Sequence, residues 1–307
     1  MKRLQFLGIS MLVGGLLMGC RRGETQTLQW NAKDNTAIHD YWFSGKAELS
    51  SYTLEQARYG EMRSGDAVLI FVTEDFLTDK QVKLEDYSKG KEGSVPILKL
   101  NLMKTFNTGI YPYTLMQSVF SPMNLMEYPH ALKATSTVLE WCGQAYAQVN
   151  QEDKGFKITQ HSYFEKEADK TYAVEKTWLE DEVWTRIRMA PETLPTGDIN
   201  MIPGMLAARL RHIPLAVETA MATLKETSDG SAVYSLRYDK SDRDLSIRFE
   251  KLFPHRILSW EETYVDGWGD KAKRLTTKAT LKKTIKSEYW RQNSNKDAGI
   301  RKELGLE

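Results

Sequence analysis

The stretch from Leu275 to Tyr289 constrains the fold more than any other feature of the chain. Its odd positions include Leu275, Thr277, Ala279, Leu281, Ile285 and Tyr289, whereas its even positions, Thr276 through Lys282 to Glu288, are all polar or charged. Alternation with a period of two marks a strand with one buried face. At roughly 3.4 Å per residue the stretch spans about 50 Å, well beyond the usual length of about six residues. A strand of that length belongs in a broad, strongly curved antiparallel sheet with one apolar side. Asp266-Gly267-Trp268-Gly269-Asp270 reads as the turn that joins it to a preceding strand, Arg256 to Val265.

Other segments agree. Ala232, Tyr234, Leu236 and Tyr238 share one face, Leu245, Ile247 and Phe249 repeat the pattern, and Lys240-Ser241-Asp242-Arg243 forms the turn of a hairpin. Val68-Leu69-Ile70-Phe71-Val72 is a continuous apolar run, consistent with a strand buried on both faces. One segment departs from the β pattern. Ile202, Met205, Leu206, Leu210 and Ile213 recur at helical spacing, with Pro203 suited to a first turn and Pro214 to a stop. The expected architecture is mainly β: a long curved sheet or half-barrel with this one helix against its concave face. Met201, Ile202, Met205, Leu206 and Leu210 are then candidates for an adaptable lid over a lipid or other hydrophobic ligand, since methionines repack easily.

The first twenty residues set an address. Lys2 and Arg3 precede an apolar run from Leu4 to Leu17, and Leu17-Met18-Gly19-Cys20 closes it in the pattern of a lipobox. The run is too short to span a bilayer, which takes about 20 residues, and it has the length of a signal-peptide core. The division expected is a signal peptide over 1–19, lipidated Cys20 with a polar tether over 20–36, a β-rich domain over 37–290 and a polar tail over 291–307. Acyl chains such as palmitate on Cys20 anchor the chain, because stable attachment takes more than one chain. Residues 1–19 hold two of the 42 basic side chains and none of the 41 acidic ones, so the mature charge is close to zero. That balance argues against a nucleic-acid partner, which calls for a strongly basic domain.

Catalytic signatures are absent. There is no Gly-x-Ser-x-Gly elbow, no phosphate loop and no His-Glu-x-x-His, and the five histidines are scattered without zinc spacing. No metal, cofactor or catalytic residue is assigned. Cys142 follows Trp141 as in a thioredoxin motif, but Ala145 stands where the second cysteine belongs. It reads as a small apolar residue on a core strand, with a thiol nucleophile served by His161 as the sharper alternative. Asp239, Asp242 and Asp244 read as turn residues, or as a loose calcium loop lacking its glycine and closing glutamate. Glu180-Asp181-Glu182 reads as a charged loop or helix start. Arg274, Lys278, Lys282 and Lys286 recur every four residues and so share one strand face, either as a cationic surface for anionic headgroups or as a solvated face.

Several stretches carry a family likeness: Tyr41-Trp42-Phe43-Ser44-Gly45-Lys46-Ala47-Glu48, Gln56-Ala57-Arg58-Tyr59-Gly60-Glu61, Phe106-Asn107-Thr108-Gly109-Ile110-Tyr111-Pro112-Tyr113, Glu140-Trp141-Cys142-Gly143, and Leu194-Pro195-Thr196-Gly197-Asp198. Together they resemble a family of uncharacterised Gram-negative envelope lipoproteins that often carry the label septum formation inhibitor Maf. The Ser-x-Ser-Pro-Arg-Arg motif of the nucleotide pyrophosphatases behind that label is missing, since Ser121-Pro122 is followed by Met123 and Asn124. The expected sheet and lid also resemble, at the level of fold, half-barrel proteins that carry lipids or lipoproteins through the periplasm. Arg21 stands where an aspartate would retain a lipoprotein in an inner membrane, so the resemblance implies an outer membrane, on its periplasmic side. Three functions follow as expectations: binding of a lipid or other hydrophobic ligand, a structural or assembly role with an envelope protein partner, and an envelope hydrolase.

Overall fold

The computed structural model describes residues 35–306; the expected signal peptide, Cys20 and the expected tether up to residue 34 lie outside the described residues. Helix α1 (Thr36–Trp42) comes first, its opening turn capped by Asn35, whose Oδ1 accepts from the Ile38 amide at 3.3 Å. It stands where β structure was expected from Tyr41 onward, and it drives Trp42 into the core.

Two antiparallel runs build the sheet. The first comprises β1 (Ala47–Arg58), β2 (Glu61–Leu77), the short β3 (Val82–Lys83), β4 (Ser94–Thr108), β5 (Tyr111–Pro122), β6 (Lys133–Glu140), β7 (Gly143–Glu152), β8 (Gly155–Ser162) and β9 (Lys170–Glu175). The second starts at β10 (Trp178–Leu179), passes through helix α2 (Glu180–Met189) to β11 (Gly197–Ile202), and through helix α3 (Met205–Arg211) to β12 (Glu218–Glu226). It ends with β13 (Ser231–Tyr238), β14 (Arg243–Glu250), β15 (Ile257–Asp266) and β16 (Lys273–Ser287). All sixteen strands join in one sheet, because β16 pairs antiparallel with β1 and links the two runs at its middle. The two edges, β9 and β10, are therefore sequence neighbours. Both are poor templates for further pairing, β10 being two residues long and β9 carrying exposed charges such as Lys170 and Glu175.

The long alternating strand is β16, and a bulge divides it. Tyr52 pairs with Leu281 and Ser51 with Lys283, so Lys282 is an extra residue and the faces exchange there. Before the bulge, Ala279 and Leu281 pack into the main core; after it, Ile285 packs against Leu49 on the other side of the sheet. The main core fills the concave side with the inner residues of nearly every strand, together with α2 and α3. On the convex side the C-terminal segment, ending in α4 (Ile300–Glu303), lays Leu304 and Leu306 over Ala47, Leu49 and Val72. The run from Val68 to Val72 is thus covered on both faces, by the main core and by this segment.

Candidate functional site

Helix α2 runs through the concave side, and every one of its ten residues is buried although five are charged. Its three acidic residues lie in the first turn and its two arginines in the last, which suits the helix dipole. Each charge then meets a specific partner. Glu180 takes a bidentate pair from Arg243 at 2.5 and 2.6 Å, and Arg243 also donates to Glu262 at 2.6 Å. Glu182 accepts from the Ala131 amide at 2.5 Å and the Leu179 amide at 3.1 Å, with His130 Nδ1 at 2.9 Å. At the other end Arg188 forms a bidentate pair with Glu48 at 2.5 and 2.7 Å, and the Tyr41 hydroxyl donates to the same carboxylate. Burial pushes Glu48 up, but the Arg188 charge and its hydrogen bonds outweigh it and hold the carboxyl below its ordinary range. Arg186 donates to the Pro129 carbonyl and lies over the Trp178 ring, 4.9 Å from its centroid.

Asp181 is the exception. It accepts from one backbone donor, the Met205 amide at 3.2 Å, and burial with the neighbouring Glu180 charge raises its pKa well above the ordinary carboxylate value. Its carboxyl latches the first residue of α3 onto α2. The approach is close: a Cβ on Gly204 would sit 2.4 Å from Glu180 Oε1, so only glycine fits there. Beside this latch, Lys104 is fully buried with its pKa lowered by burial against the pull of Glu262. Gln117 Nε2 and Trp260 Nε1 are buried there without hydrogen-bond partners. These groups line a cavity of about 30 Å³, a volume on the scale of one or two waters.

The expected lid residues are part of the core. Met201, Ile202, Met205, Leu206 and Leu210 are all buried, and α3 is shorter than the periodicity suggests. Met201 and Ile202 belong to β11, held by parallel pairing with Trp178 and Leu179, and Gly204 precedes the first helical residue. At its other end Arg58 donates to the Leu210 carbonyl at 2.5 Å, so both ends of α3 are fastened. Between α3 and the inner faces of β6, β7 and β8 the space is about 40 Å³. The concave side is filled by the two helices and is not an open lipid chamber. Glu180-Asp181-Glu182 is the helix start that was one of its two readings, but sequence reasoning did not find that α2 is buried, because its charges resemble those of a solvated surface. The usable signal was the ordering of three acids before two arginines around Val183, Trp184 and Ile187.

Larger spaces lie elsewhere, among them one of about 540 Å³ beside Tyr146, His161 and Tyr163 and one on the convex side. Between the outer face of β1, β2 and β4 and the C-terminal segment lies a half-open cavity of about 530 Å³. Its floor is apolar, with Leu49, Val68, Ile70 and Met103, and its rim is polar, with Thr105, Gln292 and Asn295. The segment is held down by Ser51, whose hydroxyl donates to the Leu304 carbonyl, and by Lys282, which donates to the Gly305 carbonyl at 2.8 Å. The expected polar tail thus forms one wall of a pocket.

The four cations of β16 do not form one stripe. Arg274 pairs with Asp242 and Asp244 at 2.6 and 2.7 Å, Lys278 lies 3.4 Å from Glu261, and Lys282 pairs with Asp66 at 2.6 Å. The bulge turns Lys286 to the opposite face, where its Nζ lies 3.7 Å from the centroid of the Tyr41 ring. The aspartates of the 239–244 turn hold Arg237 and Arg274. Among the described residues no group of three or more His, Cys, Asp or Glu is placed to hold a metal ion. Cys142 is exposed at the β6–β7 turn, contrary to the buried position expected, because the chain reverses at Trp141-Cys142 where a core strand was read. His161 faces Asp169 at 3.3 Å.

Among the described residues no helix is long and apolar enough to cross a membrane. Comparison of the chain with protein-family models, with curated proteins and with solved structures finds no match in any of the three.

Proposed function

We propose that the chain is an envelope lipoprotein, held on the periplasmic side of an outer membrane by acyl chains on Cys20, that binds an amphiphilic molecule between its convex sheet face and its C-terminal segment. The observation that carries this reading is the cavity of about 530 Å³ with an apolar floor and a polar rim. Ligand sites are typically about 300–1,000 Å³, largely apolar with a few polar groups. A single acyl chain on the floor with its polar head at Gln292 and Asn295 matches that division. The concave side, with spaces of about 30 and 40 Å³, gives no comparable room.

Native mass spectrometry of residues 21–307, purified without detergent, tests the binding. The expected result is a discrete adduct, extractable as a fatty acid or phospholipid, that Met103→Trp abolishes by filling the floor. A bare mass, or an adduct indifferent to Met103→Trp, defeats the reading. Anchoring is tested separately by incorporation of labelled palmitate into the full chain, which Cys20→Ala should prevent. The second reading, an assembly protein of the envelope with no small ligand, draws support from the filled concave side and the paired charges of α2.

A further inference from the structure

Successive turns of an antiparallel meander alternate between the two ends of a sheet. The β1–β2, β4–β5, β6–β7, β8–β9, β13–β14 and β15–β16 turns therefore gather at one end. Turn apices ordinarily carry small or polar residues. Here four of the six carry large side chains that are mostly in solvent, Ile110 at 85%, Trp141 at 68%, Tyr163 at 70% and Trp268 at 65%, while the β13–β14 turn, Asp239-Lys240-Ser241-Asp242, is polar and its aspartates are held by Arg237 and Arg274. Two of the four sit beside glycine, in Gly109-Ile110 and Gly267-Trp268-Gly269, and Trp141 occupies the two-residue turn before Gly143, so each of these apices is narrow and its side chain projects.

The rings also touch in sequence along this end. Trp268 lies 5.3 Å from Tyr59, Tyr59 lies 6.3 Å from Tyr113, Tyr113 lies 5.9 Å from Tyr111, and Tyr111 lies 6.2 Å from Trp141. Tyr163 continues the arc, since its ring covers Gly143, where a Cβ would come within 2.8 Å of it. The opposite end differs. Its turns include Asp153-Lys154 and Ser228-Asp229-Gly230, with Leu252 and Met126 as exposed apolar side chains. Trp42, Tyr41, Phe253 and His255 also touch in series there, but Trp42 is buried and the other three are partly buried, so that series presents no projecting ring.

We propose that the aromatic end is a bilayer-docking rim, seating Ile110, Trp141, Tyr163 and Trp268 in the interfacial layer of a lipid membrane. Tryptophan and tyrosine favour that layer because one part of the ring system is apolar and another is polar. Projecting side chains on narrow apices suit a deformable surface, whereas a protein interface calls for a packed, flat core. The near-zero charge of the mature chain leaves apolar insertion, not attraction to anionic lipid, as the source of binding.

The anchor is compatible with this orientation. The described chain enters β1 at the end opposite the rim, about 40 Å away along its twelve residues. The stretch from Cys20 to residue 34 reaches about 50 Å when extended, enough to bring acyl chains on Cys20 into the plane of the rim. Only this point rests on the anchored reading.

Residues 21–307 contain the whole described fold and a single cysteine, Cys142, which lies in the rim. The test labels Cys142 with an environment-sensitive fluorophore and titrates the protein with vesicles of phosphatidylethanolamine and phosphatidylglycerol. No acyl group is present, so the outcome is independent of whether Cys20 is lipidated. The expected result is a saturable blue shift, with quenching of tryptophan emission by brominated lipid. Ile110→Ser combined with Trp268→Ser should weaken partitioning by about tenfold or more and leave the thermal melt unchanged, because both side chains are exposed. No shift at millimolar lipid, or equal partitioning of the double variant, overturns the proposal. So does a shift that needs no lipid and grows with protein concentration, which would make the rim a contact between copies of the chain.

Discussion

Glu180 and Arg243 face each other through two hydrogen bonds of 2.5 and 2.6 Å in the interior of the sheet, joining the first turn of α2 to β14. Burial opposes both charges, and their mutual attraction, with the second carboxylate of Glu262, restores them. Arg243→Met removes the shared partner and leaves two buried carboxylates unpaired, a loss of about 3–5 kcal/mol by urea unfolding. Replacing Arg243, Glu180 and Glu262 together with apolar residues of similar volume should recover most of it, since a buried ion network adds little net stability over a packed apolar one. If Arg243→Met costs less than about 1 kcal/mol, the network is not closed as described.

Asp181 answers to pH in the opposite sense from Glu48. Its folded pKa is raised, so its contribution is full below the unfolded value and is lost as pH rises towards the folded one. Asp181→Asn keeps an oxygen for the Met205 amide and removes the titration. Within that window the variant should gain about 1.4 kcal/mol on the parent per pH unit. Urea unfolding at two pH values inside it measures the slope, and parallel curves would contradict a raised pKa for Asp181.

Glu48 gives the complementary prediction. Its folded pKa is lowered, so its contribution is present above the unfolded value, about 4.3, and is lost as pH falls through the folded one. Glu48→Gln should lower stability at pH 7 and flatten the loss on acidification. A variant with the acid limb of the parent would show that Arg188 does not hold Glu48 ionised.

The bulge at Lys282 makes a sharper test than the charge it carries. Lys282→Ala removes a half-exposed pair with Asp66, worth at most about 1 kcal/mol. Deleting Lys282 shifts Ile285 and its neighbours by one residue and turns them to the wrong face, a cost of more than about 2 kcal/mol. Equal effects of the two changes in chemical unfolding would remove the bulge from the account of register.

Leu306→Ala should cost about 2 kcal/mol through lost packing on Leu49 and Val72. Dye binding to exposed apolar surface should increase as the C-terminal segment loosens. An unchanged melt and no dye binding would mean that the segment does not hold the convex face.

The strands were legible in the sequence wherever one face met the core and the other met water. Tyr234, Leu236, Leu245 and Ile247 alternate with polar neighbours, and they lie in β13 and β14 in the expected register. The continuous run at Val68–Val72 correctly signalled cover on both faces, although nothing local says that the second cover is the C-terminal segment. The functional surfaces were less legible. Leu304 and Leu306 are two apolar residues in a polar tail, too few for a pattern. Trp268 and Trp141 were visible as residues, but their common end of the sheet depends on strand order.

By itself the sequence determined a mainly β chain, a curved sheet with long strands and the presence of α3, because side-chain periodicity is a local consequence of backbone geometry. Tertiary structure alone decided three further points. It made α2 a buried helix, since a charged decapeptide enters a core only when Arg243, Glu48, His130 and the Ala131 amide stand ready to meet it. It exchanged the faces of β16 at Lys282, because register is set by the partner strand. It also filled the concave side and left the open pocket on the convex one, an outcome of how volumes from distant segments sum in space.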